Sequence, residues 1–136
     1  ESVMIKDVVT IHPDALLEEA AVLMRQHDIG CLVVTEGSKV VGIITQNDIF
    51  EAFIDLLGYY EEGSRYVIPV EDKPGILADL TGLFFGEKAQ ITNLAVYRKA
   101  EQTDVVIRAR GVDPKRMRKL LEDHGYPVAS LITRAN

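Results

Sequence analysis

The stretch Val40-Val41-Gly42-Ile43-Ile44-Thr45-Gln46-Asn47-Asp48 constrains this chain more than any other. Val40 to Ile44 is β-branched apart from Gly42, the composition of a buried strand. Gly42 has no Cβ and lets another backbone or a ligand approach closely. Thr45 brings a hydroxyl to the end of the strand, and Asp48 falls in the first turn of a helix that runs on through Ile49-Phe50-Glu51-Ala52-Phe53-Ile54. A hydroxyl, unpaired N–H groups and a carboxylate therefore converge at a helix N-terminus. Such an end favours phosphate. The carboxylate suits the two hydroxyls of a ribose, through charge-assisted bonds of about 1.5–3 kcal/mol each. The same residues also suit a plain helix cap.

Upstream, Thr10-Ile11-His12-Pro13 reads as a short strand closed by proline. Asp14 is placed to cap the next helix, in which Leu17, Ala20, Ala21 and Met24 share one face. Ile29-Gly30 ends that helix, Cys31-Leu32-Val33-Val34 makes a second strand, and Glu36-Gly37-Ser38 turns it back into the strand of the motif. Cys31 is the one cysteine, so no internal disulfide forms. Its apolar strand marks it as a small core residue of a reducing, cytoplasmic protein.

The order strand, helix, strand, hairpin, strand, helix over residues 8–57 resembles a CBS domain. The residues that carry the resemblance are Val9-Thr10-Ile11-His12-Pro13, Glu19-Ala20, Leu32-Val33-Val34 and Gly42-Ile43-Ile44-Thr45-Gln46-Asn47-Asp48. Val33 stands where the family usually has proline, and Leu16 where it often has Ser or Thr. The resemblance implies a site for an adenosine-type compound: AMP, adenosine or S-adenosylmethionine. Asp48 would read the ribose, with Thr45, Asn47 and the helix end on the phosphate or its substitute. Ile11, His12, Pro13, Leu17, Ile29 and Gly30 would enclose the adenine. CBS units work as pairs, and this sequence has one copy. That copy is expected to pair with the same unit of another chain.

Charge divides unevenly at Gly58. Residues 1–58 carry three basic side chains (Lys6, Arg25, Lys39) against ten acidic, a net of −7, and residues 59–136 carry a net of +1. An acidic first half disfavours nucleic acid and polyphosphates as partners. Tyr59-Tyr60-Glu61-Glu62-Gly63-Ser64 is polar and turn-forming, the composition of a linker. The expected organisation is a first domain at 1–58, a linker at 59–64 and a second domain at 65–136.

In the second half, Arg65 to Val70 reads as a strand in which Pro69 marks an edge or a strand end. Glu71-Asp72-Lys73-Pro74-Gly75 turns into a helix with Ile76, Leu80, Leu83 and Phe84 on one face. Ile91–Tyr97 and Asp104–Ala109 alternate like hairpin arms. Asp113-Pro114 opens another helix with a buried stripe of Met117, Leu120, Leu121 and His124, ended by Gly125, and Val128 to Ile132 closes as a strand. This is the ferredoxin-like βαββαβ order, so the fold class is α+β throughout. The Asp72-Lys73-Pro74-Gly75-Ile76-Leu77 turn with Ile91-Thr92-Asn93-Leu94 resembles an ACT domain. That resemblance implies an amino-acid site lined by Asp72, Gly75, Ile76 and Asn93, although the turn alone also serves a domain that only dimerises.

CBS followed by ACT resembles the C-terminal part of acetoin-utilisation B-type proteins, which carry two CBS repeats. Either a first repeat lies outside this sequence or the chain is a shorter relative. The start at Glu1 points to a piece of a longer protein. No apolar run is long enough for a membrane span or a signal peptide. His12, His27 and His124 are scattered without metal-ligand spacing, so no metal, cofactor or catalytic residue is expected. His12, beside Pro13, suits a ligand contact, and Lys115-Arg116-x-Arg118-Lys119 suits a solvated helix face. The favoured reading is a regulatory homodimer that senses an adenosine compound and an amino acid. The alternative is a ligand-free assembly module of a larger protein.

Overall fold

The computed structural model describes residues 8–135, which divide into two compact units between Ile54 and Asp55.

The first unit opens with β1 (Thr10–Ile11), α1 (Leu17–His27), β2 (Cys31–Glu36) and β3 (Lys39–Thr45), and leads into α2 (Gln46–Leu57). Its sheet has the order β1-β2-β3, with β1 parallel and β3 antiparallel to β2. The core is Ala20, Met24, Leu32 and Ile49, with Leu17, Ala21, Ile29, Ile44 and Phe53 packed against it. Leu16, not Asp14, caps α1. Leu16 is extended and its N–H donates to Glu19 Oε1 at 3.1 Å, while the Asp14 N–H goes to His12 Nδ1 at 3.1 Å. Asp28, at φ 52°, ends the helix in the left-handed region that aspartate tolerates.

Two expectations for this sheet are corrected. The motif strand is not buried in one chain: Val40 is 60% exposed, Ile43 64%, and Val41 is exposed too. Cys31 is likewise exposed rather than in the core. Strand alternation is the reason for Cys31, Val41 and Ile43. Leu32 pairs with Ile44 on the helix-covered face, so Cys31, Val33 and Ile43 project from the other.

The second unit carries β4 (Gly63–Val70), α3 (Ile76–Gly86), β5 (Gln90–Arg98), β6 (Thr103–Arg110), α4 (Pro114–Asp123) and β7 (Ser130–Arg134). The sheet runs β5-β6-β4-β7, all antiparallel, which is the split βαβ arrangement expected from the element order. Tyr66, Ile68, Leu80, Phe84, Val105, Ile107, Ala109, Met117, Leu121 and Val128 form its core. Tyr66 and Phe84 meet edge-on, 5.2 Å between ring centres. Pro69 sits at the strand end rather than at an edge: β4 is central, and its pairing with β7 stops at Val67.

Three details differ from expectation. Gly63 and Ser64, expected in a linker at 59–64, are the start of β4, paired with Arg134 and Thr133, and Arg134 lies 4.6 Å over the Tyr59 ring. His124 lies outside the buried stripe. It is the exposed C-cap of α4, with its Nδ1 2.9 Å from the Leu120 carbonyl oxygen, and Gly125 follows at φ 87°. The last strand begins at Ser130, two residues later than the pattern suggests, because the Ala129 N–H first closes onto the Val67 carbonyl at 2.8 Å.

Candidate functional site

At the head of α2, Thr45 and Asp48 cap each other. The Thr45 N–H donates to Asp48 Oδ2 at 2.8 Å, and the Asp48 N–H donates to Thr45 Oγ1 at 3.2 Å. This is the reciprocal box that fixes a helix start. The Gln46 N–H is bound to the Gly30 carbonyl at 2.9 Å, which anchors the helix end beside the α1–β2 turn. The Thr45 backbone N–H, and secondarily its hydroxyl, hold the Asp48 carboxyl below the usual aspartate range. Asp48 is therefore ionised and exposed. One bond uses a fraction of the roughly four acceptor positions of a carboxylate, so capping and ribose recognition are compatible at this residue.

A cavity of about 480 Å³ opens beside that helix end, lined by Ile29 and Gly30 together with Met24, Arg25, Asp28, Gln46 and Phe50. Arg25 and Gln46 line the cavity without having been expected at the site. Their signal was there: Gln46 lies inside the motif, and Arg25 is one of three cations in residues 1–58.

Asn47 stands in the first turn of α2, between Gln46 and Asp48, but the structure does not bring Ile11, His12, Pro13 and Leu17 to this place within one chain. β1 and β3 flank β2 on opposite sides. Ile11 faces Val34, whereas Thr45 faces Cys31. That is roughly 10 Å across the sheet and 10 Å along it. Ile11 and Leu17 pack on the apolar core, His12 is exposed with its ring on the Asp14 N–H, and Pro13 and Asn47 are exposed.

In the second unit, Asp72, Gly75 and Ile76 do converge. They line a pocket of about 470 Å³ with Lys73, Val96 and Arg98. Gly75 caps α3 at φ 93°, a conformation open to glycine, and the Arg98 Nε donates to Asp72 Oδ2 at 2.7 Å. A carboxylate, a guanidinium and a helix N-terminus thus share one concavity, a set able to bind both ends of a zwitterion. Asn93 is not part of it. It stands opposite Arg108, on the other face of the sheet from Val96 and Arg98, which pair with the inward-facing Val105 and Thr103. Its Nδ2 donates to the Leu56 carbonyl at 2.9 Å, beside the Arg108 Nε that donates to the Leu57 carbonyl at 2.9 Å. A Cβ on Gly58 would lie 2.2 Å from Asn93 Oδ1, so Asn93 is spent on the segment that enters the second unit.

The basic run on α4 is largely paired: Arg116 with Glu87 at 2.7 Å, Arg118 with Glu122 and Lys119 with Asp123 at 3.3 Å. Among the described residues there is no cluster of metal-ligating side chains, and no helix is long and apolar enough to cross a membrane.

Residues 1–55 match the family model of the CBS domain. The chain is 48% identical over 52 residues to inosine-5'-monophosphate dehydrogenase of Korarchaeum cryptofilum, covering 38% of this chain and 11% of the relative. It is 39% identical over 46 residues to the CBS domain-containing protein YhcV of Bacillus subtilis, covering 34% of this chain and 33% of that one. The chain thus spans between about a tenth and a third of these relatives. Among solved structures, the crystal structure of protein BT0572 from Bacteroides thetaiotaomicron is 22% identical with a TM-score of 0.41, over 52% of this chain and 47% of that one.

Proposed function

We propose that the CBS domain at residues 1–55 is the sensing half of a cytoplasmic regulatory protein, that it binds an adenosine-type compound, and that binding rather than turnover is its role. CBS domains are generally regulatory ligand-sensing modules. The observation that carries the reading here is the Thr45–Asp48 box, which holds an ionised, exposed carboxylate at a helix N-terminus beside the cavity of Gly30, Gln46 and Arg25. Because Ile11, His12 and Pro13 lie at the far edge of the sheet, the adenine wall they form is supplied by the same unit of a second chain. With the net −7 of residues 1–58, ligands of low negative charge are favoured over ATP.

The second unit is proposed to be an ACT domain whose Asp72–Arg98 pocket takes an amino acid, with dimer geometry as the shared output. A ligand-free assembly module is the other reading, favoured by the way Thr45 and Asp48 satisfy each other.

Replacing Asp48 by Ala separates the two. Adenosine binding measured by calorimetry should weaken roughly ten- to a hundredfold, the loss of about 1.5–3 kcal/mol of charge-assisted bonding. Wild type should prefer adenosine over 2′,3′-dideoxyadenosine, and Asp48→Ala should not. Equal discrimination by both proteins would reduce Asp48 to a cap.

A further inference from the structure

At the opposite end of β4 from the Pro74-Gly75 turn lies a third concavity, of about 340 Å³, whose walls include Glu62, Gly63, Ser64, Arg110, Gly111, Thr133 and Arg134. Gly63 makes the room. It sits at φ 120°, and a Cβ there would fall 2.5 Å from the Ala109 carbonyl oxygen. Two guanidiniums stand at the rim. The Arg134 guanidinium carbon lies 4.6 Å over the centre of the Tyr59 ring, a cation–π contact. Arg110 is steadied by Gln90 Oε1 at 3.2 Å, with Glu62 4.0 Å from its terminal nitrogen.

The surroundings add positive charge. Arg65 and Arg108 are direct cross-strand partners, an unfavourable pairing of like charges. Among the described residues neither they nor Arg134 has a carboxylate in salt-bridge range. Burial, with the charges of Arg65 and Arg134, pushes the Arg108 pKa down.

The inner wall is hydroxylic. Ser64 is nearly fully buried and shares a 3.0 Å hydrogen bond with Thr133 Oγ1. Behind it, Tyr66 is wholly buried, and its hydroxyl makes no hydrogen bond of normal geometry. Ser64 and Asp113 are the groups that face it. An unspent donor inside a core is costly unless something completes the chain.

We infer that this pocket binds a phosphate-type oxyanion, held by Arg110 and Arg134 at the rim and by the Ser64–Thr133 hydroxyl pair on its inner wall. A hydroxyl oxygen accepts while its own proton donates, so the Ser64 O–H can donate to the anion while its oxygen accepts from the Tyr66 O–H, a chain in which each bond strengthens the other. Guanidinium forks match the oxyanion's geometry, and the local excess of arginine supplies the charge. The site is separate from the adenosine and amino-acid sites proposed above, and its test does not depend on them.

The test is a titration of the full chain, followed by amide chemical shifts, with inorganic phosphate against chloride at matched ionic strength. Gly63, Ser64 and Gly111 should shift and saturate with phosphate alone. Arg134→Gln and Arg110→Gln should each weaken binding about tenfold or more, while Arg116→Gln, whose side chain is held by Glu87, should leave it unchanged. Tyr66→Phe, which keeps the core ring, should weaken it by a smaller factor. Glycerol 3-phosphate binding tighter than phosphate identifies a phosphate monoester as the ligand, and equal binding identifies the free oxyanion. Shifts that chloride reproduces, or wild-type affinity in both arginine variants, would overturn the assignment.

Discussion

The two units solve the same problem to different degrees. Among the described residues, the second closes ten buried apolar side chains between two helices and a four-stranded sheet, while the first buries four, between α1, α2 and a sheet with one face uncovered. The first also leaves Val41 and Ile43 exposed on its uncovered sheet face. Full burial of one such side chain is worth about 1.5–3 kcal/mol, so this surface holds enough unspent burial to drive association. A small unit whose core is marginal gains stability when an apolar face is shared between chains. The lesson is that the first unit is built to be completed by something else, and the second is built to stand.

If that contrast is right, the largest mutational effect belongs to the second unit. Phe84→Ala removes a ring at 0% exposure that packs on Tyr66 and should cost about 3–5 kcal/mol. In denaturant melts followed by unit-specific probes, that loss should appear in the second unit's transition while the first keeps its midpoint. A common transition in which both midpoints move together would break the two-unit picture. Next in size is Ile43→Asp. It sets a charge on the uncovered sheet face, where Ile43 is 64% exposed. The carboxylate should weaken self-association by about 2 kcal/mol, roughly thirtyfold in Kd. Light scattering should then show the monomer mass at a concentration where wild type is dimeric. A monomeric wild type with an intact circular dichroism spectrum would remove the idea that this face pairs.

What the sequence disclosed follows the same division. Local signals were legible: the Thr45–Asp48 box, the Asp113-Pro114 start and Gly125 stop of α4, and the βαββαβ order all rest on residues close together in the chain. What depended on register was not. Cys31 was expected inside because its neighbours are apolar, yet one position of strand phase separates it from Leu32. Asn93 was expected beside Asp72, but it lies an odd number of residues from Val96 and Arg98 along a regular stretch of β5, so alternation turns it to the opposite face, across from Arg108. The distance from Ile11–Pro13 to Thr45 was invisible because it is set by which strand lies between them. For the candidate site, the helix end could be read from the sequence, and the wall facing it could not.

The smallest expected effect is in pH, and it sharpens the contrast because the two units should fail at opposite ends of the scale. In the first, hydrogen bonds from Thr45 lower the folded-state pKa of Asp48 below its unfolded value of about 3.9. The stabilisation is therefore complete above that value and is lost as pH falls through the lowered one. In the second, burial raises the pKa of Tyr66 above its unfolded value near 10. Here the neutral form is the favoured one, so the contribution is complete below pH 10 and is lost as pH rises through the raised value. Asp48→Asn keeps an acceptor for the Thr45 N–H without the charge, and Tyr66→Phe keeps the ring without the proton. Melting each protein at pH 7, pH 3 and pH 11 should show Asp48→Asn flattening the acid loss of the first unit alone, and Tyr66→Phe flattening the alkaline loss of the second alone. An acid loss that survives Asp48→Asn undiminished would mean that the Thr45–Asp48 box contributes nothing to the first unit's stability, and that its carboxylate is kept there for a ligand instead.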